Sequence, residues 1–216
     1  RSFGIFLGII GVFIFFNLCL YIYFQDRMYL YYTLFLLCAT YFRLQSHRWD
    51  SIYWLSFAPE WNYYASSFAV QLSFIFIILF FRRTLQSKIL TPRLHRHSTL
   101  LIGLNLLCLP MMFVLTFPLF THLMSLLVIL LLPLLWMAFS CWRKGLLSGG
   151  YLFSGWSIFI LMSLVFGLWI QGILPANGFT IHSVEIGLII QAFIFSLGML
   201  ANIKKMFEDN ELAQSQ

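Results

Sequence analysis

The stretch FGIFLGIIGVFIFFNLCLYIYF, residues 3–24, decides the fold. It carries no charge, and at 1.5 Å per residue it is long enough to cross about 30 Å of hydrocarbon. Gln25-Asp26-Arg27 follows it, a connection so short that the next apolar run, Met28 to Phe42, has to return antiparallel beside the first. The rest of the chain repeats this pattern. Apolar runs cover about 61–81, 99–119, 122–142, 151–170 and 182–203, giving seven candidate spans in all. The division between the fourth and fifth rests on Pro118 and His122; as one helix that block would be about twice as long as the hydrocarbon is thick.

Composition agrees with this reading. Hydrophobic residues make up 61% of the 216 and charged residues only 9%, against about 25% charged in a soluble domain. The net charge of +6 comes from short basic clusters between apolar runs, an arrangement that orients a membrane protein and does not point to nucleic acid. Arg27, Arg82, Arg83, Lys88, Arg93, Arg96, Arg143, Lys144, Lys204 and Lys205 fall on one side, and Arg1, Arg43 and Arg48 on the other. Basic residues collect on the cytoplasmic side, so this asymmetry predicts an all-α seven-helix bundle with its N-terminus outside and its C-terminus in the cytoplasm. The segment from Arg43 to Trp61 mixes Arg43, His47, Arg48, Asp50 and Glu60 with Trp49, Tyr53, Trp54 and Trp61, which reads as an interfacial loop. Cys19, Cys38, Cys108 and Cys141 each lie inside an apolar run and read as small buried hydrophobes.

Residues 1–205 are thus expected to form the bundle and 206–216 the start of a linker. Leu200, Ile203 and Phe207 keep a helical spacing among the charges Glu208, Asp209 and Glu211, so the seventh helix either projects into the cytoplasm or ends in a frayed polar tail.

Polar groups at membrane depth are costly and mark function, and here they are few. No Lys or Arg lies mid-span, which excludes a retinal Schiff base, and no carboxylate pair offers a proton relay. Glu185 is the one acidic residue inside a predicted span, with His182 three residues before it. Either the two snorkel to the outer interface and help start the helix, or they face the bundle as part of an outward-facing signal site joined by Gln171. Asn17, Gln71, Asn105 and Gln191 fall near the middles of their spans, where an amide can bond across helices or touch a ligand. Gly4, Gly8 and Gly11 form a small-residue stripe that permits close packing, within the chain or against a second copy. Pro110 and Pro133 should kink their helices. Phe153-Ser154-Gly155 lacks the upstream glycine of an intramembrane protease site, and the five scattered histidines suggest no metal site. No cofactor is expected.

Three segments resemble a known family, the bacterial seven-transmembrane receptors with diverse intracellular signalling modules. The first is Asn17-Leu18-Cys19-Leu20-Tyr21 through Asp26-Arg27-Met28-Tyr29-Leu30-Tyr31-Tyr32. The second is Phe80-Phe81-Arg82-Arg83-Thr84 with Pro92. The third is Gly172-Ile173-Leu174-Pro175 with Glu185, Gly187, Ser196-Leu197 and Leu200-Ala201. Two departures stand out: Gln191 replaces an expected acidic residue, which counts against a charge switch in span seven, and Ser46-His47 replace an expected glycine. The resemblance implies a receptor of the bacterial inner membrane. An extracytoplasmic sensor would precede span one, and a cyclase, kinase or phosphatase module would follow span seven, in a dimer. This chain, opening at Arg1, would then be a piece of that receptor: the transmitter, without catalysis of its own. The competing class is a transporter or channel subunit, which the lack of mid-span charge and of paired broken helices disfavours.

Overall fold

The computed structural model describes residues 2–46, 59–114 and 132–214. These residues are helical with short connections: α1 (Ser2–Phe24), α2 (Arg27–Ser46), α3 (Pro59–Thr84), α4 (Ser87–Leu90), α5 (Pro92–Met111), α6 (Leu132–Arg143), α7 (Leu147–Ile170), α8 (Gly178–Ile181) and α9 (Ser183–Gln214). Among the described residues, four helices are long and apolar enough to cross a membrane: Phe3–Phe24, Tyr64–Thr84, Leu147–Ile170 and Ser183–Lys204. The boundary expected at Pro118 and His122 lies outside the described residues, as do His47 to Ala58 of the expected interfacial loop. The flanks of that loop are helical: Arg43 belongs to the last turn of α2 and Glu60 and Trp61 to the first turn of α3.

The chain divides into two compact units, Ile10–Leu134 and Arg1–Ile9 with Leu135–Gln216. In the first, the α1–α2 turn forms as its short sequence requires. Gln25 takes a left-handed conformation (φ 53), and its amide closes the last turn of α1 on the Tyr21 carbonyl at 2.8 Å. Asp26 caps α2, its Oδ1 accepting from the Met28 amide at 3.1 Å. The same carboxylate oxygen meets Arg83 Nε at 3.1 Å, so one residue ends the turn and ties it to the basic end of α3. Tyr32 against Phe80 (ring centroids 4.9 Å apart) and Met28 against Thr84 set α2 and α3 antiparallel. Pairs at two levels fix α3 against α5 and the turn that follows it: Arg82 with His95 in the first helical turns of α5, and Tyr64 stacked at 4.9 Å on Phe113, just past its end. Pro110 stands one residue before the end of α5, which passes into a turn at Met112.

In the second unit, α7 and α9 run antiparallel with glycine at three close contacts. A β-carbon on Gly187 would lie 2.7 Å from Met162 Cβ, on Gly198 2.8 Å from Tyr151 Cβ, and on Gly155 2.6 Å from the Phe195 ring. In lipid, where apolar burial adds little, such close backbone approach is what drives helix association. The α6–α7 turn ends in a Schellman motif: Gly145 (φ 89) donates to Trp142 and Leu146 to Cys141. Ser148, Gly149 and Gly150, which precede the apolar run expected from 151, already belong to the first turn of α7. Helix α9 runs 32 residues, about 48 Å, and so continues well past the apolar segment that ends at Lys204.

The small-residue stripe of α1 does not pack within the described part of the chain, which leaves the second of its two expected partners, another copy. Gly4, Gly8 and Gly11 are exposed, and a β-carbon on any of them would meet nothing within 4 Å. The face of α1 that turns inward is instead Phe3, Phe6, Ile10 and Asn17, while Ile5, Val12, Phe15 and Ile22 face outward, as lipid contact requires. Cys19, expected to be buried, is exposed, whereas Cys108 and Cys141 are buried.

Candidate functional site

Helix α9 begins at a break. Asn177 Oδ1 accepts from the Phe179 and Thr180 amides at 3.0 and 2.9 Å, and Thr180 Oγ1 accepts from the Asn177 amide at 3.0 Å, closing a capping box around the single turn of α8. Thr180 Oγ1 also donates to the Pro175 carbonyl at 2.8 Å, and Ser183 Oγ donates to the Thr180 carbonyl at 3.0 Å. His182 is the joint between the two helices, and the Ile186 amide bonds its carbonyl at 3.0 Å. The sequence signal for the box is Asn177 with Thr180 three residues on.

One turn into α9, Glu185 is 3% exposed, with Oε1 3.8 Å from His182 Nδ1. Of the two readings of this carboxylate, snorkelling to the interface requires exposure, and Glu185 is buried. The separation is too long for a direct hydrogen bond but within reach of an ion pair once His182 carries a proton. A buried carboxylate beside a titratable ring is the kind of element whose charge state can bias a helix start. Gln171, the suggested third member, is exposed at the C-terminal end of α7.

The four mid-span amides are all fully buried. Of the two expected roles, bonding across helices is not seen among the described residues. Asn17 and Asn105 donate to carbonyls of their own helices, Phe13 at 2.8 Å and Leu101 at 2.9 Å. Both amide atoms of Gln71 and of Gln191, and the oxygens of Asn17 and Asn105, have no hydrogen-bond partner among the described residues. Arg43 is another departure: assigned to an interfacial loop, it is 4% exposed in the last turn of α2. Among the described residues, no three His, Cys, Asp or Glu side chains gather as metal ligands.

A second polar cluster organises the connection between α3 and α5. Arg82 Nη2 donates to His95 Nε2 at 2.7 Å, which leaves the ring proton on Nδ1 to be donated to Ser87 Oγ at 2.9 Å. Ser87 in turn donates to the Arg82 carbonyl at 3.3 Å, closing a ring of bonds that requires neutral His95. Burial, then the charges of Arg82 and Lys88, hold the His95 pKa below its ordinary 6.5. A lowered folded-state pKa means that the unfolded chain binds the proton first. The ring's contribution is therefore complete above pH 6.5 and is lost as the pH falls through the lower folded value. Unfolding midpoints measured from pH 8 to pH 5 should show this loss in the native protein and a weaker dependence in His95→Ala; identical slopes would contradict the assignment.

The family model described as 7TM diverse intracellular signalling matches residues 2–202. No curated protein and no solved structure matches the chain. Long apolar helices, a multi-pass arrangement and a match over nearly the whole length agree with one another, and the chain belongs to the 7TM diverse intracellular signalling family.

Proposed function

We propose that this chain is the transmitting domain of a bacterial inner-membrane receptor. It crosses the membrane seven times with its N-terminus outside, and it carries an extracytoplasmic signal to a C-terminal cytoplasmic output module of the cyclase, kinase or phosphatase type. It has no catalysis of its own, and a homodimer is the form that would pass a helix movement to such a module. One observation carries the reading: α9 is a single helix from the buried Glu185, through the whole apolar segment, to Gln214. A shift in the charge or packing around Glu185 at one end is thereby a displacement at the other, and a receptor needs only two such arrangements of different signal affinity.

The seven-span orientation is tested by cysteine accessibility in intact cells, with labels at Gln171 expected to react from outside and labels at Lys88 only after permeabilisation. Signal transmission is tested in the full-length receptor. Glu185→Gln and His182→Ala should each shift the output activity in vesicles by about five-fold or more, the scale of a 1 kcal/mol bias between two states. Unchanged output in both would remove α9 from the relay.

A further inference from the structure

The α3–α5 connection combines fixed backbone, exposed positive charge and one exposed apolar side chain. Residues 82–97 contain Arg82, Arg83, Lys88, Arg93 and Arg96 and no carboxylate. Arg82 is engaged with His95, and Arg83 with Asp26. Lys88, Arg93 and Arg96 are exposed and enter no ion pair among the described residues. The segment is held in shape: left-handed Gln86 (φ 47) starts α4, its carbonyl accepts from Ile89 at 2.9 Å and Leu90 at 3.2 Å, and the Thr91 amide bonds Ser87 at 3.0 Å. Leu85, Ser87 and Thr91 are buried, so one side of α4 is anchored, whereas Ile89, next to Lys88, is 78% exposed.

This turn caps a helix that ends its apolar segment at Thr84. It therefore sits where hydrocarbon gives way to headgroups, the depth at which an apolar side chain flanked by cations is favourable on both counts. We propose that α4 and the first turns of α5 form a binding surface for an anionic phospholipid, with Lys88, Arg93 and Arg96 taking the phosphate and Ile89 the proximal acyl chain. Charge complementarity selects this occupant, since three unpaired cations at the membrane surface attract acidic lipid by about five-fold in association per charge. The proposal depends on α3 crossing the bilayer and not on signalling, so output assays and lipid binding can fail separately.

The test uses the full chain in nanodiscs of phosphatidylcholine containing brominated phosphatidylglycerol or brominated phosphatidylcholine, with quenching read from a fluorophore at Gln86. Wild type should favour the phosphatidylglycerol probe by at least five-fold. The triple variant Lys88→Gln, Arg93→Gln, Arg96→Gln should fall to within two-fold of no preference, and Ile89→Ser should show an intermediate loss. All four positions are exposed, so unfolding midpoints in phosphatidylcholine should be unchanged. Inorganic phosphate at matched ionic strength should not displace the lipid. Equal quenching by both lipids in wild type, a preference retained by the triple variant, or displacement by phosphate would each overturn the proposal. So would binding of polyglutamate at the expense of phosphatidylglycerol, which would assign the surface to an acidic protein.

Discussion

Replacing Gly149 by valine is expected to break the α6–α7 hairpin and to cost about 3 kcal/mol of stability, the upper end of what overpacking usually costs. A β-carbon at this position would sit 2.7 Å from the Trp142 amide nitrogen and 2.8 Å from the Ala138 carbonyl oxygen, both backbone atoms that no rotamer change can move. The hairpin has no slack nearby. Trp142 lies over the second glycine, its Nε1 3.0 Å from where a Gly150 β-carbon would be, and stacks toward Phe153, which also meets Phe139 with centroids 5.5 Å apart. Gly149→Ala should already lower the unfolding temperature in detergent by several degrees, and Gly149→Val more. Gly103→Ala is the control: it lies in α5 with nothing within 4 Å of a β-carbon, so gaining alanine's helix propensity should leave stability unchanged or raise it by up to about 1 kcal/mol. If Gly149→Val melts with the wild type, the close approach of α6 and α7 is wrong.

The contrast between glycines marks what the sequence made legible. Spacing picked out Gly4, Gly8 and Gly11, yet among the described residues a β-carbon there would meet nothing within 4 Å, while the tight contacts fall to Gly149, Gly155, Gly187 and Gly198. A small-residue pattern records what a helix face permits; whether another helix takes it up depends on partners that a one-dimensional pattern does not pair. Features governed by local chemistry could be read directly. The antiparallel return of α2 and the extent of α1 follow from nearby residues, whereas α7 starts four residues before its apolar run and α9 takes the longer of its two expected extents. Arg43 failed because a lone cation after an apolar run looks like a loop residue, whereas α2 continues to Ser46 and carries it inward. At the candidate site, Glu185 and His182 were visible as an i, i+3 pair, but the burial that separates snorkelling from an inward role comes from tertiary packing.

The buried amides lead to the second large effect. Gln71 lies thirteen residues before the end of α3 and Asn105 thirteen after the start of α5, so both stand about 20 Å along their helices from the shared turn. The pairs Arg82–His95 and Tyr64–Phe113, the latter in the turn just after α5, bracket this level, and Gln71, two turns from Tyr64 and three from Arg82, shares their face of α3. A buried amide without partners forfeits its hydration without replacement, a cost of about 1–3 kcal/mol, whereas an apolar side chain of similar shape pays none of it. Gln71→Leu is therefore expected to raise stability by about 1–3 kcal/mol, and Asn105→Leu by less, since its Nδ2 already donates to Leu101 at 2.9 Å. Gln71→Ala should instead destabilise by leaving a cavity. If transmission draws on an arrangement in which the two amides meet across the interface, Gln71→Leu would gain stability and lose output together, the trade expected when a functional residue costs the fold. Thermal unfolding and output activity measured on the same full-length variants separate the cases. A Gln71→Leu protein that melts well below wild type would mean that the amide is paired after all.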